Sequence, residues 1–151
     1  MLLSYNEILD SFTKTIDNNF EETIVAGEYN IQDNKKSCFF VQILPEEIQT
    51  ATKKTDIKSF LVDIKFLPNW KKKKIDLFDI LNKLENIFTR NIKVKDRYLT
   101  FSKKNGSIEK DEIGNYVQFL ISINYHEQIY FEEEKHELME ELNMRFKGRS
   151  D

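Results

Sequence analysis

Hydrophobic residues recur along this chain in two periods, and the changes of period divide it into helices and strands. Near the N-terminus Tyr5, Ile8, Leu9, Phe12 and Ile16 fall on one stripe at helical spacing, and Ser4 followed by Glu7 has the form of a capping box. An amphipathic helix is expected over about residues 4–19. Residues 23–27, T-I-V-A-G, form a short β-prone piece after it. Residues 37–45, S-C-F-F-V-Q-I-L-P, are the most apolar stretch, too brief for a buried helix and fenced by Asn34, Lys35 and Lys36 before and Pro45 after. They predict a core strand covered on both faces, against which the other elements are placed. Residues 46–57 show no strong period and are expected to include a loop. Phe60, Val62, Ile64 and Phe66 then alternate with Leu61, Asp63, Lys65 and Leu67, which predicts a strand with one face in the core, stopped by Pro68 and paired with residues 37–45.

The period returns to that of a helix at Leu77, Leu81, Leu84 and Phe88, flanked by Ile80 and Ile87. Residues 97–104 and 115–126 read as long strands, the second placing Val117, Phe119, Ile121, Ile123 and Tyr125 on one face. Between them Asn105-Gly106 predicts a type I′ turn, because both central residues of that turn need positive φ. Residues 103–114 are then a polar, mobile, partner-facing hairpin. The tail supports two readings: Leu138, Met139, Leu142 and Phe146 keep a helical stripe, while Leu142, Met144 and Phe146 also alternate as an extended arm would. Strands grouped between segregated helices indicate an α+β fold, a mainly antiparallel sheet packed by two helices, with a C-terminal helix or extended arm. The expected division is a single domain over residues 1–131 and a C-terminal helix or arm, 132–151, that either touches other subunits or docks as a plain helix on its own domain.

Length and composition change this picture little. The 151 residues suffice for one core, 40% hydrophobic residues with 12 Phe and 6 Tyr supply it, and 32% charged residues cover it. A net charge of −3 gives no overall field for nucleic acid or an anionic membrane. One cysteine allows no internal disulfide, and Cys38 beside two phenylalanines reads as a small buried hydrophobe. No apolar run approaches a membrane span and the first residues lack the form of a signal peptide, so synthesis in the cytoplasm and no membrane partner are expected. His126 and His136 have no Cys or His partner at ligand spacing, and the glycine-rich and nucleophile motifs of enzymes are missing. The expectation is therefore no catalytic residue, no metal and no cofactor: a protein that works by contact.

Two charge blocks, one hairpin tip and one apolar set are the candidates for that contact. Trp70 with Lys71, Lys72, Lys73 and Lys74 forms a basic loop, and Glu132, Glu133, Glu134, Glu137, Glu140 and Glu141 form an acidic segment. The bland readings are a solvated loop and a helix start favoured by its dipole. In a ring, the basic loop of one subunit could face the acidic segment of its neighbour. Asn105 and Gly106 would present the hairpin tip, and Leu138, Met139, Leu142, Met144 and Phe146 would seek a surface beyond their own sheet.

Four stretches, I-V-A-G-E-Y at 24–29, K-S-C-F-F-V-Q-I-L-P at 36–45, F-L-V-D-I-K-F-L-P-N at 60–69 and V-Q-F-L-I-S-I-N-Y at 117–125, with M-E-E-L at 139–142, resemble a family of small phage tail terminator proteins. That family occurs in contractile-tailed phages and phage-tail-like bacteriocins of Gram-positive bacteria. The resemblance implies a virion structural protein at the head-proximal end of the tail. It would form a ring of six copies that caps the tail tube, ends its polymerisation and joins it to the neck or head connector. Its implied partners are further copies of itself, the tube protein, and sheath and neck proteins, with DNA only passing through the lumen. The alternatives from the residues are a neck or tail-completion protein of similar fold, a small nucleic-acid-binding module using Trp70 and its lysines, and a hydrolase.

Overall fold

The structure, a computed structural model, describes residues 3–26, 37–68, 76–112 and 114–128. Ser4 starts α1 (Tyr5–Asn19), its hydroxyl accepting the Glu7 N–H at 3.1 Å, and the stripe Ile8, Phe12 and Ile16 is buried as its spacing requires. Asp76 caps α2 (Leu77–Ile87) in the same way, accepting from Phe78 N–H at 3.0 Å. The strands are β1 (Thr23–Ala26), β2 (Cys38–Thr52), β3 (Thr55–Leu67), β4 (Asn91–Val94), β5 (Arg97–Lys110) and β6 (Asn115–Gln128). They form one six-stranded sheet in the order β1-β2-β3-β6-β5-β4, antiparallel throughout except for β1, which runs parallel to β2. The fold is the expected α+β.

Alternation decides which face of this sheet is covered. Phe39 and Val41 of β2, Phe60, Val62, Ile64 and Phe66 of β3, and Val117, Phe119, Ile121 and Ile123 of β6 point to one side and are buried. Phe12 of α1 and Phe88 just beyond α2 sit 5.3 Å apart, centroid to centroid, so both helices lie on that side. Phe39 packs between Phe20 at 4.6 Å and Phe66 at 4.9 Å, the tilted geometry that aromatic quadrupoles favour. Among the described residues no helix covers the opposite side.

Three sequence expectations need correction. The stretch 37–45 is not the middle of the sheet: β3 and β6 are, and β2 is covered on both faces only around Phe39, Phe40 and Val41. Nor does Pro45 end it. β2 continues to Thr52 and turns at Lys53-Lys54, because beyond Val41 it has no strand on its outer side among the described residues, and there a missing N–H costs no ladder bond. A bulge between Pro45 and Glu47 absorbs the irregularity. Asn105-Gly106 is likewise not a turn. Asn105 pairs with Leu120 and Gly106 with Phe119 inside a continuous β5–β6 ladder, and the reversal falls at residues 111–114, where Asp111 carboxylate accepts the Gly114 N–H and Asp111 N–H donates to the Gly114 carbonyl. Among the described residues the glycine with positive φ is Gly114, at 151°. Gly106 serves packing: a Cβ there would lie 2.6 Å from Leu81 Cδ1, so its absence lets α2 approach the sheet. The short strand β4 was not anticipated, since I-K-V offers too few residues to show a period.

Candidate functional site

The charged residues that the fold buries belong to its framework. Glu127, last buried residue of β6, points to the helix side at the N-terminal end of α1. It accepts the Leu3 N–H at 2.9 Å and the Tyr125 hydroxyl at 3.1 Å, and pairs with Lys58 Nζ at 2.8 Å. Lys58 also lies 5.7 Å from the Tyr5 ring, and the Arg97 guanidinium stacks on Tyr125 at 5.0 Å while donating to the His126 carbonyl. Every oxygen of Glu127 is thus occupied, and the group fastens the entry of α1 to the sheet. Burial, then the neighbouring Glu127 charge, pushes the Tyr125 hydroxyl far above its ordinary value.

On the side without a helix, Asp63 is buried in the middle of the sheet. Gln42 donates to one of its oxygens at 3.0 Å and Gln118 to the other at 3.2 Å, and Lys65 stands 3.5 Å away. This lattice ties β2, β3 and β6 together and leaves the carboxylate no free oxygen. A cleft of about 350 Å³ is lined by Leu3, Val94, Lys95, Asp96, Arg97, His126 and Gln128. Lys95 takes φ 55° in the β4–β5 turn and pairs with Glu7 at 2.9 Å, an interaction that holds the Glu7 carboxyl below its usual range. The cleft brings together no nucleophile and base. Among the described residues no group of three or more His, Cys, Asp or Glu could hold a metal ion, and no helix is long and apolar enough to cross a membrane. Cys38 is half-buried, and that burial raises its thiol further from reactivity at neutral pH.

What remains is the rim of the sheet. All of residues 44–54 are exposed, including Leu44 at 38% and Ile48 at 58% of full accessibility, so the outer part of β2 and its turn form an open edge of the sheet, laddered to β3 on the inner side. The sequence reading missed it because E-E-I-Q-T-A-T, wet on both faces, has no hydrophobic alternation; the signal present was its high share of Ile and Thr. Of the expected contact residues, Asn105 and Gly106 lie on β5, both exposed, with Gly106 under Leu81. His126 is exposed at the cleft. Trp70, Lys71, Lys72, Lys73, Lys74, Leu138, Met139, Leu142, Met144, Phe146 and His136, and the boundary at 131/132, lie outside the described residues.

The family described as "Phage tail terminator protein" matches this chain over residues 7–136. No curated protein matches it. A solved structure superposes at TM-score 0.48 with 9% identity, over 86% of this chain and 99% of its own, a likeness too distant to bear on function.

Proposed function

This chain belongs to the phage tail terminator family, a family of structural proteins, and on that footing we propose that it closes the head-proximal end of a tail tube as a ring of about six copies. A tube that grows by adding identical subunits exposes the same face after every addition, so it needs a cap that binds this face without reproducing it. The ring would also give the neck or connector its seat, with DNA passing through the lumen and the sheath, in a contractile tail or a tail-like bacteriocin, ending beside it. The observation that supports ring formation is the exposed rim of the sheet: residues 44–52 form an edge strand with solvent on both faces and no outer neighbour among the described residues, a feature that monomers avoid because it templates pairing with other chains. Contacts from residues 132–151 would add to the same interface.

The test is co-production with the tail tube protein of the same particle. Electron microscopy should show short tubes carrying a cap at one end, where the tube protein alone gives long tubes without one. Tubes whose length and ends are unchanged by this protein would overturn the reading.

A further inference from the structure

Both helices cover one side of the sheet; on the other, where no helix lies among the described residues, leucines occupy the two central strands. Alternation puts Ile57, Leu61 and Asp63 of β3 on the same side, and the ladder sets Leu44 beside Leu61 and Leu120 beside Asp63, so the three leucines and Ile57 all face away from α1 and α2. Toward the start of β2 this side is closed, with Phe40, Asp63 and Leu67 buried, whereas Leu44 is 38% exposed and Ile57, Leu61 and Leu120 are half-buried. We propose that this face receives residues 132–147 of the next copy in the ring, packed as a helix. The proposal rests on the ring reading above and names where the C-terminal segment lands.

The segment has the matching pattern. Leu138, Leu142 and Phe146, with Met139 beside them, make one apolar stripe at helical spacing, and Glu137, Glu140, Glu141 and Arg145 leave the rest of the surface charged. A short helix of this kind gains its stability by laying the stripe on an apolar surface, and a sheet face with leucines has the same need. A sheet face offers side chains and no free backbone, so it suits the helical pattern of the segment better than the extended one. The sizes agree: Leu138 to Phe146 rises about 12 Å along a helix, and Leu44 to Leu120 across β3 is about 10 Å at the usual strand spacing. Ser59 and Ser122, small residues on the same face, let a helix come close.

Position selects the next copy over the chain's own face. β6 ends at Gln128, which pairs with Thr55, and Thr55 pairs with Thr52 at the close of β2. The chain therefore leaves the sheet at the end where β2 is open and where the ring reading seats the neighbour, two strand spacings, about 10 Å, from that rim. A helix starting there reaches the neighbour directly, whereas on its own subunit it would have to reverse over residues 129–131 and climb back along β6. The charges around the face, Glu47, Lys65, Lys103 and Glu109, are of both signs, so the apolar stripe sets the fit. The contact joins two different surfaces, and every copy gives one segment and receives one, as a closed ring requires.

The test uses full-length chains in which Cys38→Ala removes the one native thiol, one batch carrying Ser122→Cys on the face and another Leu142→Cys in the segment. Mixed, assembled and mildly oxidised, the two batches should give a disulfide-linked two-chain species on a non-reducing gel, far more than either batch alone. A chain carrying both substitutions should give a ladder of linked copies. A second variant, Leu138→Ser/Leu142→Ser, should keep the melting temperature of the dilute protein and need at least about tenfold more protein to assemble, read by light scattering behind size exclusion. Assembly without a link between the batches, a link confined within one chain, normal assembly of the serine variant, or a lower melting temperature for it when dilute would overturn the docking while leaving the ring standing. An unaltered protein that never assembles would overturn both.

Discussion

Phe39 shows how much of this fold rests on single side chains. It is fully buried between Phe20 and Phe66, and Phe39→Ala should lower stability by about 3–5 kcal/mol, read as a fall in the urea midpoint with little change in slope. Gly106 makes the opposite case, a position defined by what it lacks. Gly106→Val would press on Leu81 and should cost about 1–3 kcal/mol, and the cost should largely vanish in a Leu81→Ala background. Equal costs in the two backgrounds would show that the glycine serves something other than the approach of α2. Tyr125 carries the pH dependence. Its folded value is raised by burial and by Glu127, so its contribution is complete below the ordinary tyrosine value of about 10 and declines as pH rises beyond it. Urea midpoints measured upward from neutral pH should therefore fall more steeply for the unaltered protein than for Tyr125→Phe, which cannot ionise.

At the scale of elements, the sequence was most legible where one face is dry. The stripes Ile8, Phe12, Ile16 and Leu77, Leu81, Leu84, Phe88 and the alternation from Phe60 to Phe66 and from Val117 to Tyr125 marked two helices and two strands, and the expected pairing of residues 60–67 with 37–45 is present, with Phe39 opposite Phe66. It was misleading where both faces are wet. Pro45 and Asn105-Gly106 are strong local signals for an end and a turn, but each sits on the open side of a strand whose ladder with its one neighbour continues past it. Glu127 and Asp63 were illegible for another reason: their hydrogen-bond partners, Leu3, Lys58, Gln42 and Gln118, come from distant parts of the chain, which no local pattern records. Cutting residues 103–114 back to an Asn-Gly turn would remove the ladder from Gly106 to Lys110 and uncover Leu81, and should destabilise the fold. By contrast Ile48→Lys, on the exposed edge of β2, should change the stability of the isolated subunit by less than about 0.5 kcal/mol, as urea titration at low protein concentration would register.

For the whole molecule, the proposed ring would let a small α+β domain, whose buried Asp63 and Glu127 are engaged within the chain, complete its open rim with copies of itself. The Asp63 lattice is satisfied within the chain and offers nothing that competes with that reading. The most direct measurement is the mass of the unaltered full-length protein in solution, by native mass spectrometry across a range of concentrations. A single closed species at a small whole multiple of 18.1 kDa, about sixfold, appearing without a ladder of larger assemblies, is the predicted result. A mass that remains that of one chain at every concentration, or one that grows without limit, would contradict it.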